Sequence, residues 1–171
     1  MQRRRTVRVT EHVHPVRERS GTTRTNAVVF GLLFVLFGVL GFVPGAVSDF
    51  GALQFVGNPG GVVLLGLFEV SILHNLVHVL IGACGLVMSR RPLSAAAFLT
   101  GTGIFLVAMG VYGFWVSSPF DVNFIPLSSV DSTLHLLLGI VLLALGLYGR
   151  WHLPIGDDPA LPHEASEDPR A

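Results

Sequence analysis

Residues 92–116 read PLSAAAFLTGTGIFLVAMGVYGFWV, a stretch without a single charged side chain. An apolar helix of ~20 residues is long enough to cross the ~30 Å hydrocarbon core of a bilayer. The stretch therefore predicts a membrane-spanning helix. Composition agrees, because only 13% of the 171 residues are charged, whereas a typical soluble domain has about 25%.

Three further stretches meet the same criterion and complete an all-α, integral membrane four-helix bundle. The predicted spans are residues 27–47, 61–88, 92–116 and 130–149. They form one transmembrane domain, residues 27–150, between an Arg-rich arm (1–26) and an acidic tail (151–171). Both terminal segments are predicted to be disordered, because they are too polar to bury a core of their own.

The basic residues predict how the chain is oriented. All of them are Arg, which favours a GC-rich bacterial source. Apart from Arg170, they lie in the arm, in the link after the second span (Arg90 and Arg91) or directly after the fourth span (Arg150). Cytoplasmic links carry the excess of positive charge, so both termini are predicted to be cytoplasmic in a bacterial plasma membrane. The arm is expected to bind anionic lipids, and no feature predicts binding to nucleic acid.

Two short patterns recur along the chain. Residues 38–42 (GVLGF) match 110–114 (GVYGF), and residues 78–82 (HVLIG) match 135–139 (HLLLG). Their order predicts a two-plus-two duplication about an axis along the membrane normal. Small residues let helix backbones approach closely in lipid. Helix packing, and association into a homo-oligomer, is therefore predicted through glycine faces that contain Gly38, Gly41, Gly82, Gly85, Gly110, Gly113 and Gly139.

Ionisable residues inside the predicted spans are candidates for function, because they are costly to place in a membrane. Counted at ~1.5 Å per residue from the nearest inner Arg, His78 lies ~18 Å deep, His135 ~22 Å and His74 ~24 Å. With Asn75 and Asp131 they form a predicted polar cluster that joins helices two and four.

Two carboxylates, Glu69 and the Asp131 of this cluster, are predicted to lie further out than the histidines, at the outer interface. By the same count, Glu69 lies ~31 Å and Asp131 ~28 Å from the inner boundary. Asp131 opens the fourth helix, where a carboxylate can cap free N–H groups and is favoured by the helix dipole.

Three interpretations of the cluster remain open. In the first, the chain is a non-enzymatic membrane protein, without a cofactor, in which the cluster locks helices two and four together. In the second, His74, His78 and His135 bind a metal, or two histidines bind a haem, in a redox protein. In the third, a proton relay through the cluster serves a small oligomeric channel or proton-coupled carrier. No nucleophile–base pair, phosphate loop or nucleotide-binding motif is present, so no enzyme activity is predicted.

Residues 64–78 (LLGLFEVSILHNLVH), 123–126 (NFIP) and 134–139 (LHLLLG) resemble the domain-of-unknown-function 4383 family. This family comprises small four-helix membrane proteins found mainly in actinobacteria. The resemblance covers about residues 27–150 and implies a plasma-membrane protein without an established activity, substrate or cofactor. The family more often has Asn at the position of Ser132, so the resemblance does not imply an obligatory polar pair there.

Overall fold

The computed structural model describes residues 14–58, 61–116 and 125–152. Its helices are α1 (His14–Leu40), α2 (Ile72–Met88), α3 (Pro92–Val116) and α4 (Ser129–His152). Between α1 and α2 lie a 3-10 helix (Phe50–Ala52) and an antiparallel hairpin of β1 (Val63–Leu64) and β2 (Phe68–Glu69). The predicted four-helix architecture is confirmed. Most of the predicted arm (1–13) and acidic tail (153–171) lie outside the described residues.

Three helices in the described part of the chain are long and apolar enough to cross a membrane. They are Ser20–Leu40 within α1, Pro92–Trp115 within α3, and α4. Helix α2 has 17 residues, which is about 25 Å at 1.5 Å per residue. The hairpin precedes it. Irregular backbone is tolerated at membrane depth where protein covers it, and Val62, Leu64 and Val70 of this region are buried.

The first predicted span, residues 27–47, is wrong at both ends. The helix ends at Leu40, because the ring of Pro44 would clash with the carbonyl four residues earlier if the helix continued. At the other end, α1 begins at His14, inside the arm that the sequence predicts to be disordered. Contacts explain part of this extension. Thr23 packs against Gly149 of α4, and the Nε of Arg24 donates to the Ser89 carbonyl at 3.0 Å.

The second predicted span, residues 61–88, is wrong at its start. Its first part forms the hairpin, whose turn puts Leu65 and Gly66 at φ values of 52° and 73°. Two successive left-handed residues are typical of a tight hairpin turn and cannot lie within a helix. Helix α2 begins only after Ser71, whose Oγ accepts from the His74 N–H at 3.2 Å. The third span agrees with α3, and α4 extends the fourth span to Ser129 and His152.

The predicted repeat is visible in the helix contacts. Gly38 of α1 lies against the backbone of Asn75 on α2, and Gly110 of α3 lies against the backbone of Ser132 on α4. The shift along the chain is 72 residues from Gly38 to Gly110 (110 − 38) and 57 from Asn75 to Ser132 (132 − 75). The same two shifts relate a further backbone contact in each half: Gly31 with Gly82, and Gly103 with Gly139.

The glycines that the sequence predicts to pack helices all contact other residues of the same chain. All seven predicted ones are buried, and all but Gly85 lie against the partner helix of their own half. Gly85 lies against Phe98, between the halves, where an apolar core fills the bundle. A homo-oligomer would therefore have to use another surface.

Candidate functional site

Three imidazole rings meet between α2 and α4. His74 and His78 stack with ring centroids 4.6 Å apart and planes at 17°. The ring of His135 lies 5.9 Å from that of His74 and 6.1 Å from that of His78. One nitrogen from each ring can be chosen so that all three lie within 4.8 Å of one another. The structure thus brings together the three histidines that the sequence singles out.

Two of these rings are oriented by their own helices. The Nδ1 of His78 lies 3.1 Å from the His74 carbonyl, and the Nδ1 of His135 lies 2.6 Å from the Asp131 carbonyl. A carbonyl only accepts, so this hydrogen-bond network assigns the proton of each neutral ring to Nδ1. The Nε2 of each ring then carries a free lone pair. Neither of these bonds links α2 to α4.

The third ring has a nitrogen without a partner. The Nδ1 of His74 is buried and makes no hydrogen bond within the described residues. The backbone carbonyl of Pro126 interacts with the same ring. A buried polar atom without a partner costs about 1–3 kcal/mol, so this nitrogen calls for a physical explanation.

The repeat also relates the members of the site. The 57-residue shift carries His78 onto His135 and His74 onto Asp131. The two related histidines keep the same Nδ1 bond to the carbonyl four residues before them. The other related pair, His74 and Asp131, consists of an imidazole and a carboxylate. Duplication therefore gives four inward positions at the helix starts, of which three are imidazoles and one is a carboxylate.

Asp131 caps α4 and fastens the hairpin to it. Its Oδ2 accepts from the Ser128 N–H at 2.9 Å and from the Ser128 hydroxyl at 2.6 Å, while Ser128 Oγ accepts from the Asp131 N–H. This reciprocal pair is a capping box. The same Oδ2 accepts from the Glu69 N–H of β2 at 3.0 Å. Burial, and the neighbouring charge of Asp131, raise the pKa of the Glu69 carboxyl above its usual value.

Asn75 is buried at the side of the cluster and bonds in another direction. Its Nδ2 donates to the carbonyl of Gly41, just past the end of α1, at 2.8 Å. This bond joins α2 to α1 within one half. The equivalent residue in the second half is Ser132, whose Oγ donates to the Ser128 carbonyl of its own helix at 2.8 Å.

Two cavities flank the histidines. The α1–α4 cavity has a volume of ≈ 180 Å³ and the α2–α3 cavity ≈ 80 Å³, and all three histidines line both. The repeat shifts carry five wall residues of the first onto five of the second. The pairs are Leu33 and Phe105, Phe34 and Leu106, Phe37 and Met109, Leu134 and Val77, and Leu138 and Ile81.

The sequence analysis missed two components of this region. One is Ser128, although Ser at 128 and Asp at 131 before an apolar run is a sequence signature of a capping box. The other is the aromatic wall of the α1–α4 cavity, to which Phe30, Phe34 and Phe37 contribute. Their spacing of four and three residues places them on one helix face, and the ring of Phe34 lies 5.5 Å from that of His78.

Comparison with known proteins yields one match. The sequence model of a family described as "Domain of unknown function (DUF4383)" matches residues 24–148. No curated protein and no solved structure matches the chain. The family description states no activity, so the functional argument depends on the geometry of the site.

Proposed function

The chain belongs to the DUF4383 family, and we propose that it is an integral membrane protein that binds a transition-metal ion through His74, His78 and His135. One observation carries the proposal. Three imidazole nitrogens lie within 4.8 Å of one another, although no hydrogen bond between the rings holds them together in the described structure. A metal ion would supply that common partner.

The chemistry of the rings supports a cation. The Nδ1 bonds of His78 and His135 to backbone carbonyls match the outer-shell contacts that orient metal-binding histidines. The Nδ1 of His74, which has no hydrogen-bond partner among the described residues, can serve as the third nitrogen ligand. Metal–nitrogen bonds of ~2.0–2.1 Å place tetrahedral ligands about 3.3 Å apart, so small ring rotations would close the site. Imidazole ligands suit Zn, Cu, Fe and Ni.

A purely structural role for the cluster has less support. A cluster that locked α2 to α4 would be expected to bond across the two helices. The described side-chain hydrogen bonds of His78 and His135 instead return to their own helices, and the link from Asn75 goes to Gly41 at the end of α1. The ring of His74 interacts with the Pro126 carbonyl, in the segment that leads into α4. This one contact accounts for the position of His74 but not for the meeting of all three rings.

Haem binding and conduction are supported less well than a single ion. Haem iron takes one or two axial protein ligands, whereas three rings face a common point here. For a channel or carrier, the path would continue beyond the histidines. Among the described residues, an apolar core containing Phe34, Phe98 and Leu142 fills the bundle between the halves.

The proposal includes an orientation. Arg24 bonds to Ser89, next to Arg90 and Arg91, and Thr23 packs against Gly149, next to Arg150. These contacts bring Arg24, Arg90, Arg91 and Arg150 to one end of the bundle. We assign this end to the cytoplasm of a bacterial plasma membrane by the positive-inside rule. The Arg-rich arm would then face anionic lipids.

Cobalt titration of the purified full chain in metal-free detergent tests the proposal. Co²⁺ is the probe, because its visible absorption reports coordination by nitrogen in a tetrahedral site. We expect one Co²⁺ per chain. His135→Ala should weaken binding about 100-fold or more, because loss of even an outer-shell partner of a metal ligand costs 10–100-fold.

His152→Ala is the matched control. The ring of His152 also bonds through Nδ1 to the carbonyl four residues earlier, that of Tyr148, at 2.8 Å, but it lies outside the cluster. Its replacement should leave Co²⁺ affinity unchanged. Equal losses in the two variants, or no stoichiometric Co²⁺ in the unmodified protein, would contradict the proposal.

A further inference from the structure

The α1–α4 cavity has the dimensions of a site for one aromatic ring. Its volume is ≈ 180 Å³, and an apolar engineered cavity of about 150 Å³ is known to bind benzene. Phe30, Phe34 and Phe37 of α1 and Phe68 of β2 line it. Phe37 and Phe68 are already paired edge to face, with centroids 6.0 Å apart. A planar ring inserted among them would gain further offset or edge contacts of this kind.

The polar groups of the cavity require a hydrogen-bond donor. The Nδ1 bonds of His78 and His135 leave an acceptor lone pair on each Nε2. Asp131 offers a carboxylate, and the Nδ2 of Asn75 donates to Gly41. A ligand hydroxyl can donate its proton to one of these acceptors. An ammonium ion could also donate, but a charge is costly to move into the membrane.

The cavity opens towards the bilayer. Helices α1 and α4 touch at Thr23 and Gly149, whereas the cavity separates them nearer the hairpin. Two of its wall residues, Leu33 and Leu134, lie on the outer surface, and each is 42% exposed. Phe68 and the hairpin cover the end of the cavity near the start of α4. Access is therefore between two lipid-facing helices.

We propose that the α1–α4 cavity takes up from the bilayer a single-ring phenol with an apolar tail, a class that includes lipid-soluble quinols. The ring lies among the phenylalanines, the hydroxyl donates to an imidazole nitrogen, and the tail remains in lipid. The proposal does not require the metal site, because one imidazole lone pair of the metal-free protein is sufficient for this hydrogen bond. A bound metal ion would compete with the hydroxyl for that lone pair, so the tests below use metal-free protein.

The first test compares two probes that differ in the donor alone. Purified full chain in phosphatidylcholine nanodiscs is equilibrated with 4-octylphenol or with its methyl ether, 4-octylanisole, and uptake is corrected with protein-free discs. We expect saturable uptake of one phenol per chain, with at least tenfold weaker uptake of the ether. Equal uptake of both probes overturns the proposal, and so does uptake that does not exceed that of protein-free discs. Saturable binding of octylammonium in place of the phenol also overturns it.

The second test uses the repeat as its control. Leu138→Trp fills the α1–α4 cavity, and Ile81→Trp places the same side chain at the equivalent wall of the α2–α3 cavity. Octylphenol affinity should fall at least tenfold in the first variant only. Equal losses, or loss in Ile81→Trp alone, contradict the proposal. Co²⁺ binding by the same variants separates failure of this proposal from failure of the metal site.

Photolabelling decides the matter if Leu138→Trp does not fold. The unmodified chain in the same nanodiscs is irradiated with an azide derivative of octylphenol, and the labelled peptides are identified by mass spectrometry. Labels should fall on α1 and α4 near Phe34 and Leu134 and be displaced by octylphenol. Labels on α3 near Phe105 and Met109, or labels that octylphenol does not displace, overturn the assignment.

Discussion

The α1–α2 half and the α3–α4 half share a packing frame but differ in the polar residues set into it. In both halves, glycines bring two helix backbones into contact at equivalent positions: Gly31 and Gly38 of α1 against α2, and Gly103 and Gly110 of α3 against α4. At two other equivalent positions the chemistry differs: Asn75 corresponds to Ser132, and His74 to Asp131. The hairpin precedes α2, in the first half, and contacts α4 of the second half through Asp131.

This difference indicates which part of the molecule is scaffold and which part is site. Equivalent glycines are under the same geometric demand, because each must allow a neighbouring backbone to approach. The site depends on the position where the halves diverged. A histidine at both His74 and its equivalent would give four imidazoles, and a carboxylate at both would leave two. The actual pair gives three imidazoles beside one carboxylate, which holds the hairpin.

The largest predicted effect tests whether the packing frame is equivalent in the two halves. In Gly82→Leu and Gly139→Leu, the new side chain would begin within 3 Å of the backbone of Val35 or Val107 on the facing helix. Since a backbone cannot move aside as a side chain can, each variant should lose about 3 kcal/mol or more of unfolding free energy. Equilibrium unfolding in mixed micelles measures this loss.

Gly101→Leu is the control for both variants. Gly101 lies in α3, and a side chain built there would meet nothing within 4 Å. Its replacement should leave stability unchanged or raise it by up to about 1 kcal/mol, because glycine is a poor helix former. If one of the two interface variants were as stable as this control, the halves would not be equivalent in packing.

A smaller effect is predicted where the halves differ. Asn75→Ser makes the first half resemble the second and removes the buried donor to Gly41, which should cost about 1–3 kcal/mol. The reverse change, Ser132→Asn, adds two heavy atoms at a position that is 0% exposed, and this overpacking should cost about 1–3 kcal/mol. Unfolding in mixed micelles measures both losses. A variant as stable as the unmodified protein would show that the polar residues at these two equivalent positions are interchangeable.

Much of the fold could be predicted because its signals are local. Uncharged length predicts a helix such as Pro92–Val116 at its correct bounds, and the recurring glycine and histidine patterns predict the repeat. The hairpin could not be predicted in this way. Residues 61–71 are as apolar as a helix, and only a turn with left-handed Leu65 and Gly66 excludes it. Hydropathy is insensitive to such backbone geometry.

The candidate site could be predicted only in part, for a related reason. Depth and helical spacing identify His74, His78 and His135, because both follow from counting residues along a helix. The partner that each polar side chain bonds to cannot be found by counting residues. The amide of Asn75 points to Gly41 of α1, and the carboxylate of Asp131 reaches Glu69 of β2. Both choices depend on how distant segments pack, which the sequence pattern does not contain.

The smallest predicted effect concerns Glu69, in the hairpin that precedes α2. Its pKa is raised in the folded protein by burial and by Asp131, so folding disfavours its charged form. Glu69 therefore contributes stability that is fully present below its ordinary pKa of 4.5 and is lost as the pH rises through the higher folded value. Glu69→Gln should remove this dependence, while Asp49→Asn, at an exposed loop position, should retain it.

The size of the effect follows from the position of the side chain. Glu69 is partly open to solvent, so solvent screening should be strong. The difference in unfolding free energy between the unmodified protein and Glu69→Gln should therefore be only a few tenths of a kcal/mol. Unfolding free energies from pH 4 to pH 8 provide the measurement, with the unmodified protein losing stability relative to the variant as the pH rises. If the unmodified protein instead gained stability relative to Glu69→Gln as the pH rises, the folded hairpin would favour the charged form of Glu69. Repulsion between Glu69 and Asp131 would then not be the dominant effect.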